Sequence, residues 1–150
     1  MQNNIGLIGY GEVGKIFCTG LKAKPGIESV SAWDLKFTDA ALQKKEQDHA
    51  AQAGVAACRS MQAVCAQADW LISAVTASNT LAVAQEAAKF IKPGTLFLDL
   101  NSASPGTKQQ AAALPARWPA ARPTASARGC HRAGWTSSRP PPRNVRLRPR

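Results

Sequence analysis

The sequence lacks the clustered metal ligands and the long apolar runs that would indicate a metalloprotein or a membrane protein. Its four cysteines form no Cys-x-x-Cys pair, and neither histidine stands at zinc-finger spacing from them, so no metal site or disulfide framework is indicated. The N-terminus has no basic segment, and the apolar run after it covers only residues 5–8. This run is too short for a signal peptide or a membrane span. We therefore expect a cytoplasmic protein without a membrane partner.

Acidic residues are absent from the last part of the chain. Residues 115–150 contain nine Arg but no Asp or Glu, and they also lack Ile, Phe, Met, Tyr and Lys. Such a segment has little to bury, and its prolines exclude long helices and central strands. We expect a disordered basic tail, and its Arg, Pro, Ala and Gly, all encoded by GC-rich codons, are typical of a coding frame read out of register. Most of the net charge of +10 belongs to this tail, so it is weak evidence for a nucleic-acid partner.

Residues 1–114 alternate between short apolar runs and segments with helical periodicity. From Glu12 the helical period places Val13, Ile16, Phe17 and Leu21 on one apolar face. Five alternations with short connections indicate a parallel sheet covered by helices on both faces, so we predict an α/β fold with a Rossmann-type doubly wound parallel sheet. The predicted strands are residues 4–8, 30–35, 55–58, 70–75 and 95–100; the predicted helices begin near residues 12, 38, 60, 79 and 104.

A glycine-rich loop connects the first predicted strand to the first predicted helix. In the pattern Gly-x-Gly-x-x-Gly, Gly9 allows a sharp turn, Gly11 lets the backbone approach a pyrophosphate, and Gly14 lets the helix pack closely on the sheet. The positive end of the helix favours the diphosphate. This context predicts that the loop binds NAD or NADP. The cofactor-binding residues predicted here are Gly9, Tyr10, Gly11, Glu12, Val13 and Gly14.

Further candidate cofactor contacts follow the second and fourth strands. Asp34 stands twenty positions after Gly14, where an acidic residue accepts hydrogen bonds from the adenosine ribose and disfavours a 2′-phosphate. Lys36 can offset that repulsion, so NAD and NADP both remain open. Val75 and Thr76 end the fourth strand and should pass close to the cofactor.

The fifth strand is followed by Asn-Ser-Ala-Ser-Pro, at the edge where open α/β sheets bind ligands. Asn101 is a candidate for contact with the cofactor, and Ser102 for contact with a substrate. Ser104 and Pro105 suit the start of a helix, which is an equally good reason for the motif.

Three stretches, IGLIGYGEVG, SAVTASNT and LDLNSASPGTKQQAA, resemble the N-terminal domain of the β-hydroxyacid dehydrogenases. This family includes 6-phosphogluconate and 3-hydroxyisobutyrate dehydrogenases, and the resemblance covers residues 4 to about 114. It implies an NAD(P)-dependent oxidoreductase acting on a small hydroxy acid. Family members continue with a further strand and a helical domain that supplies a proton-transferring Lys, and nothing after Leu114 matches them. We therefore assign no catalytic residue, and expect a truncated chain that is inactive unless the missing domain is supplied.

Two other functions remain open. A non-catalytic, nucleotide-responsive module would act through a partner, and an exposed sheet edge would allow self-association. Alternatively, the arginine-rich tail would bind nucleic acid through its positive charge, with a strong dependence on salt.

Overall fold

A computed structural model describes residues 3–114, and the predicted basic tail lies outside them. Within this range strands and helices alternate, as the sequence predicts. Two 3₁₀ turns, Leu35–Phe37 and Ala77–Asn79, precede the second and fourth helices. The elements are β1 (Asn3–Ile8), α1 (Glu12–Lys22), β2 (Ile27–Trp33), α2 (Gln43–Gln52), β3 (Ala56–Ala57), α3 (Met61–Gln67), β4 (Trp70–Ser73), α4 (Thr80–Ala88), β5 (Leu96–Asp99) and α5 (Pro105–Ala112).

The five strands form one parallel sheet in the order β3-β2-β1-β4-β5. β1 is central, and the chain leaves it first towards β2 and β3 before crossing to β4 on its other side. The strand order therefore reverses between β1 and β4, which opens a crevice at their carboxyl ends. The predicted Rossmann-type α/β fold is confirmed.

The core has two parts, one on each face of the sheet. Cys18 of α1 and Ala50 of α2 pack with Ile5 and Leu7 of β1, whereas α3 and α4 pack on the face that contains Ile8. Successive strand residues point to opposite faces, so a strand covered on both faces reads as a continuous apolar run. This explains why β1 shows no polar alternation.

The buried face of α1 differs from the apolar face predicted from its sequence. Gly14 and Cys18 are buried against the sheet, while Val13 is 54% exposed and Ile16 is 72% exposed. Phe17 is 37% exposed, whereas Leu21, the fourth residue of the predicted face, is partly buried against the core. The helix is rotated in this way because Gly14 packs directly on the loop before it, and that contact sets which side of the helix faces the strands.

Hydroxyl side chains cap the start of two helices, and the sequence predicts this role for Ser104. Ser60 accepts a hydrogen bond from the Ala63 amide at 3.1 Å, and Ser104 accepts one from the Thr107 amide at 3.2 Å. Each bond satisfies one of the free amides in the first turn of its helix. Among the described residues, no helix has the length and apolar character needed to cross a membrane.

Candidate functional site

A cavity of about 700 Å³ opens at the carboxyl ends of β1, β2 and β4. It lies at the crevice created by the reversal of strand order, which is the general ligand position in open α/β sheets. The loop after β1 forms one side, and the segments after β2 and β4 form the others. Eight residues predicted to bind the cofactor line it: Gly9, Gly11, Glu12, Val13, Asp34, Lys36, Val75 and Thr76.

Two glycines fix the shape of the loop after β1. Gly9 has a φ of +103°, and a Cβ there would lie 2.3 Å from the carbonyl oxygen of Ala74. A Cβ on Gly14 would lie 2.1 Å from the carbonyl oxygen of Gly9. Any side chain at these positions would displace backbone, so the loop requires glycine at both for the turn and for helix packing.

The second glycine of the motif is different, because it faces open space. Among residues 3–114, apart from its own chain neighbours, a Cβ on Gly11 would meet no atom within 4 Å. Gly11 is also the N-cap of α1, and it offers no side-chain acceptor to the amides of the first turn. These amides, with the positive end of the helix dipole, are therefore available to an anionic group in the cavity.

Asp34 connects the segment after β2 to the glycine loop. One carboxylate oxygen accepts a hydrogen bond from the Tyr10 amide at 2.6 Å, and the other accepts one from the Lys36 amide at 2.9 Å. The second bond caps the 3₁₀ turn that follows β2. A carboxylate has about four acceptor positions, so Asp34 retains capacity for hydroxyl donors in the cavity.

The charges around the cavity are mostly negative. Glu12, Asp34 and Glu86 line it together with a single described lysine, Lys36. Because the helix dipole is positive only at the start of α1, the cavity combines one anion-binding end with acidic walls. This arrangement suits a ligand with phosphates at one position and hydroxyl groups at others.

Val75 and Thr76 lie just after β4 and form the opposite wall. The Thr76 hydroxyl accepts a hydrogen bond from the Asn79 amide group at 3.0 Å and lies 3.2 Å from the Ser78 hydroxyl. These contacts hold the turn that leads into α4. The sequence predicts that both residues pass close to a cofactor, and the structure places them in the lining of the cavity.

The sequence predicts that Tyr10 contacts the cofactor, but its ring is fully buried beneath the loop. The ring packs 5.3 Å from that of Phe37, and the hydroxyl lies 3.0 Å from Nδ1 of His49. Burial raises the pKa of the Tyr10 hydroxyl to about 12. Tyr10 contacts Asp34 through its backbone amide, whereas its side chain packs beneath the loop against Phe37 and His49.

The two candidates after β5 lie outside the cavity lining. The side chain of Asn101 is buried; it donates a hydrogen bond to the Ser73 hydroxyl of β4 and accepts one from the Val75 amide. Ser102 is exposed on the connection to α5. Because both residues follow β5 directly, they lie at the carboxyl edge of the sheet. The direction of the Asn101 side chain, however, is set by its hydrogen bonds to Ser73 and Val75.

Several cavity residues carried no signal in the sequence. Asn79, Val83 and Glu86 contribute one side of the cavity from α4 and the turn before it, and Met61 contributes from α3. Their spacing of three to four residues is that of any helix face, so only the packing of α4 on the sheet reveals them. Within residues 3–114, no group of three or more His, Cys, Asp or Glu is placed to hold a metal ion.

Comparison with known families identifies the chain. The model of the ornithine cyclodeaminase/mu-crystallin family matches residues 2–114. The chain belongs to this family. A search of curated proteins found no match.

Two solved structures are similar to this chain in both fold and sequence. A conserved hypothetical protein from Sinorhizobium meliloti 1021 has 34% identity and a TM-score of 0.70, over 75% of this chain and 37% of that one. The 3-hydroxyisobutyrate dehydrogenase of Mycobacterium tuberculosis, solved with L-serine, has 25% identity and a TM-score of 0.64. The match covers 76% of this chain and 36% of the dehydrogenase. The resemblance to the β-hydroxyacid dehydrogenases is confirmed.

A third solved structure is similar to this chain in fold alone. Prephenate dehydrogenase from A. aeolicus, in complex with hydroxyphenyl propionate and NAD⁺, has a TM-score of 0.60 at 14% identity, over 74% of this chain and 37% of that one. The matched region is thus little more than a third of each of these three proteins.

Proposed function

We propose that the cavity binds NAD or NADP, and that residues 1–114 are the cofactor-binding domain of an oxidoreductase. The observation that carries the proposal is the geometry of the three glycines. Two of them are closed against the backbone, and Gly11 alone is open towards the cavity. A dinucleotide loop needs this distribution, because the turn and the helix must pack tightly while one position admits the pyrophosphate.

Each side of the cavity has a role in this proposal. The first-turn amides of α1 bind the pyrophosphate, and Asp34 accepts hydrogen bonds from the adenosine ribose. Lys36 lies beside Asp34 and contributes the positive charge that keeps NADP open as a ligand. Val75 and Thr76 line the wall of the cavity that a bound dinucleotide would contact. The nicotinamide would supply hydride transfer, and the chain's own residues bind and orient it.

The more specific proposal is a β-hydroxyacid dehydrogenase similar to 6-phosphogluconate and 3-hydroxyisobutyrate dehydrogenases. Its support is the 25% identity to the mycobacterial 3-hydroxyisobutyrate dehydrogenase and the motifs after β4 and β5. Oxidation of a hydroxy acid also needs a base for the hydroxyl proton. Among the described residues we assign none to that role, and Ser102 remains a proposed substrate contact.

Nucleotide titration of the full 150-residue chain tests the cofactor proposal. NADH and NADPH are titrated by nicotinamide fluorescence and by the shift in melting temperature, and at least one should bind saturably. Gly11→Ala fills the open position without touching protein, so we expect a normal fold and a loss of affinity of about tenfold or more.

Gly106→Ala is the matched control for this variant. A Cβ on Gly106 would also meet nothing within 4 Å in the described part of the chain beyond its own helix backbone, but this residue lies in α5 and outside the cavity lining. The affinity of the control should equal that of the wild type. A folded wild type that binds neither nucleotide, or a Gly11→Ala variant that binds normally, would refute the assignment.

A further inference from the structure

The buried side chain of Asn101 connects the ends of β4 and β5. Asn101 is 5% exposed, and its Oδ1 accepts a hydrogen bond from the Val75 amide at 2.6 Å. Its Nδ2 donates to the hydroxyl of Ser73 at 3.0 Å. Ser73 is itself 1% exposed, so the bond to Ser73 is buried, whereas the bond from the Val75 amide is partly buried.

Asparagine is suited to this position because it carries an acceptor and a donor on one short side chain. The Val75 amide only donates, and it therefore fixes Oδ1 as its partner. Nδ2 is then directed to the hydroxyl of Ser73. Removing the amide would leave the partly buried Val75 N–H without this acceptor at the point where β4 has ended, and the loss of a hydrogen-bond partner by a partly buried donor is unfavourable.

The segment that Asn101 holds is the wall of the cavity. On its other side, the Ala74 amide donates to the carbonyl of Ile8 in β1 at 2.8 Å. The carbonyl of Ala74 also lies against Gly9, in contact too close for any Cβ. Ala74 and Val75 are therefore held between β1 and the end of β5, Asn101 supplies the bond from the β5 side, and Thr76 follows directly from Val75.

We propose that Asn101 is a positioning residue for the dinucleotide, which holds Val75 and Thr76 in the cavity wall without touching the ligand. This inference rests on the proposed function of the cavity. It replaces direct cofactor contact by Asn101 with an action through the Val75 amide. Loss of the bond lets the wall move, so that affinity falls even when the fold persists.

The test compares Asn101→Leu with Asn4→Leu in the full chain. Asn4 also joins strands through its side chain, with bonds to Asp69 and Ser29, but at the amino ends of the strands, away from the cavity. Both variants should lower the melting temperature. Only Asn101→Leu should weaken NADH or NADPH binding, by about tenfold, when measured well below its melting temperature.

Amide hydrogen exchange at Val75 supplies a readout that needs no nucleotide. Exchange should accelerate in Asn101→Leu and stay unchanged in Asn4→Leu. Should Asn101→Leu fail to fold, Asn101→Asp keeps an acceptor for Val75 while it replaces the donor to Ser73 with a carboxylate oxygen, to which the Ser73 hydroxyl can donate. We then expect a protected Val75 amide and affinity within about threefold of wild type.

The outcomes separate this inference from the proposed function. Wild type that binds a nucleotide while Asn101→Leu binds equally well overturns the positioning role and leaves the cofactor site intact. Equal losses of affinity in Asn101→Leu and Asn4→Leu also overturn it, because they would reflect general stability. A wild type that binds neither nucleotide refutes both.

Discussion

At the residue scale, the carboxylate of Asp34 joins two segments that meet at one edge of the sheet. It accepts one hydrogen bond from the Tyr10 amide in the glycine loop and another from the Lys36 amide in the turn after β2. Its place at the end of β2 follows from sequence spacing. The bond to the loop does not, because it depends on how closely β1 and β2 end beside each other.

Replacement of Asp34 by alanine tests its part in choosing the cofactor. We expect NADH affinity to fall by about tenfold or more, since hydrogen bonds to a charged acceptor contribute about 1.5 to 3 kcal/mol. NADPH affinity should fall less, because removal of the carboxylate also removes its repulsion of the 2′-phosphate. The measurement is the ratio of the two dissociation constants.

Glu12→Gln is a suitable control for this change, because Glu12 is an exposed carboxylate that lines the same cavity. It removes one negative charge without removing the bond to Tyr10. If Asp34→Ala leaves the ratio of dissociation constants at the wild-type value, Asp34 does not distinguish the two cofactors.

Two other residues show the limit of prediction from sequence. The spacing of the glycine motif correctly indicates a tight turn at Gly9 and close packing at Gly14. It places Tyr10 and Asn101 near the same edge but cannot orient their side chains. The Tyr10 ring turns under the loop towards His49, and Asn101 turns towards β4, because each finds its hydrogen-bond partner on a distant segment.

At the scale of the element, α1 shows how one backbone contact orients a helix. Its most apolar side, with Val13 and Ile16, is exposed, and the side with Gly14 and Cys18 is buried. Helical periodicity predicts the existence and extent of α1 well. It does not identify the buried side here, because the contact of Gly14 with the Gly9 carbonyl outweighs the apolar pattern.

Two alanine substitutions within α1 should have opposite effects. Gly14→Ala places a Cβ against the backbone of Gly9, so we expect a lower melting temperature and weaker nucleotide binding. In Gly20→Ala the added Cβ meets nothing within 4 Å among the described residues outside its own helix, and the change should stabilise the chain by about 0.5 to 1 kcal/mol through helix propensity. Thermal unfolding of the two variants provides the measurement.

The pair also separates two explanations of the motif. A Gly14→Ala variant as stable and as competent in binding as Gly20→Ala would show that α1 can move away from the loop at little cost. The third glycine would then be dispensable.

At the scale of the whole molecule, an ion pair between α1 and α2 makes stability depend on pH. Glu46 is 6% exposed, and its carboxylate lies 2.7 Å from Nζ of Lys15. The hydrogen bond from Lys15 lowers the pKa of Glu46 below its ordinary value. The unfolded chain therefore takes up this proton at a higher pH than the folded chain, and acidification favours unfolding.

Urea unfolding of the wild type and of Glu46→Gln measures this contribution. At about pH 7 the wild type should be more stable by about 1 to 2 kcal/mol, because its carboxylate is ionised and paired. The difference should shrink as the pH falls through about 4, the ordinary range of a glutamate, and below. Asp69 also has a lowered pKa, owing to bonds from Asn4, so the difference between the two proteins is the relevant quantity. A difference that stays constant with pH would contradict this assignment.

The fold as a whole was predictable because alternation of elements is a property of the chain itself. The first and last residues of its strands were less predictable. β2 begins at Ile27 instead of Val30, since its pairing with β1 extends to Asn3, and it ends at Trp33 because Asp34 starts a turn. Self-association through the sheet edge and the bounds of the cofactor-binding domain, residues 1–114, stay predictions.

Because β1 lies at the centre of the sheet, its pairing on one side must wait for a strand made much later. β1 can pair with β2 after one helix, but Asn4 reaches Asp69, just before β4, across 65 positions of the chain. Closing so long a loop is slow, because chain entropy is lost before the contacts form. During translation the nascent chain therefore presents one bare edge of its central strand until β4 has left the ribosome.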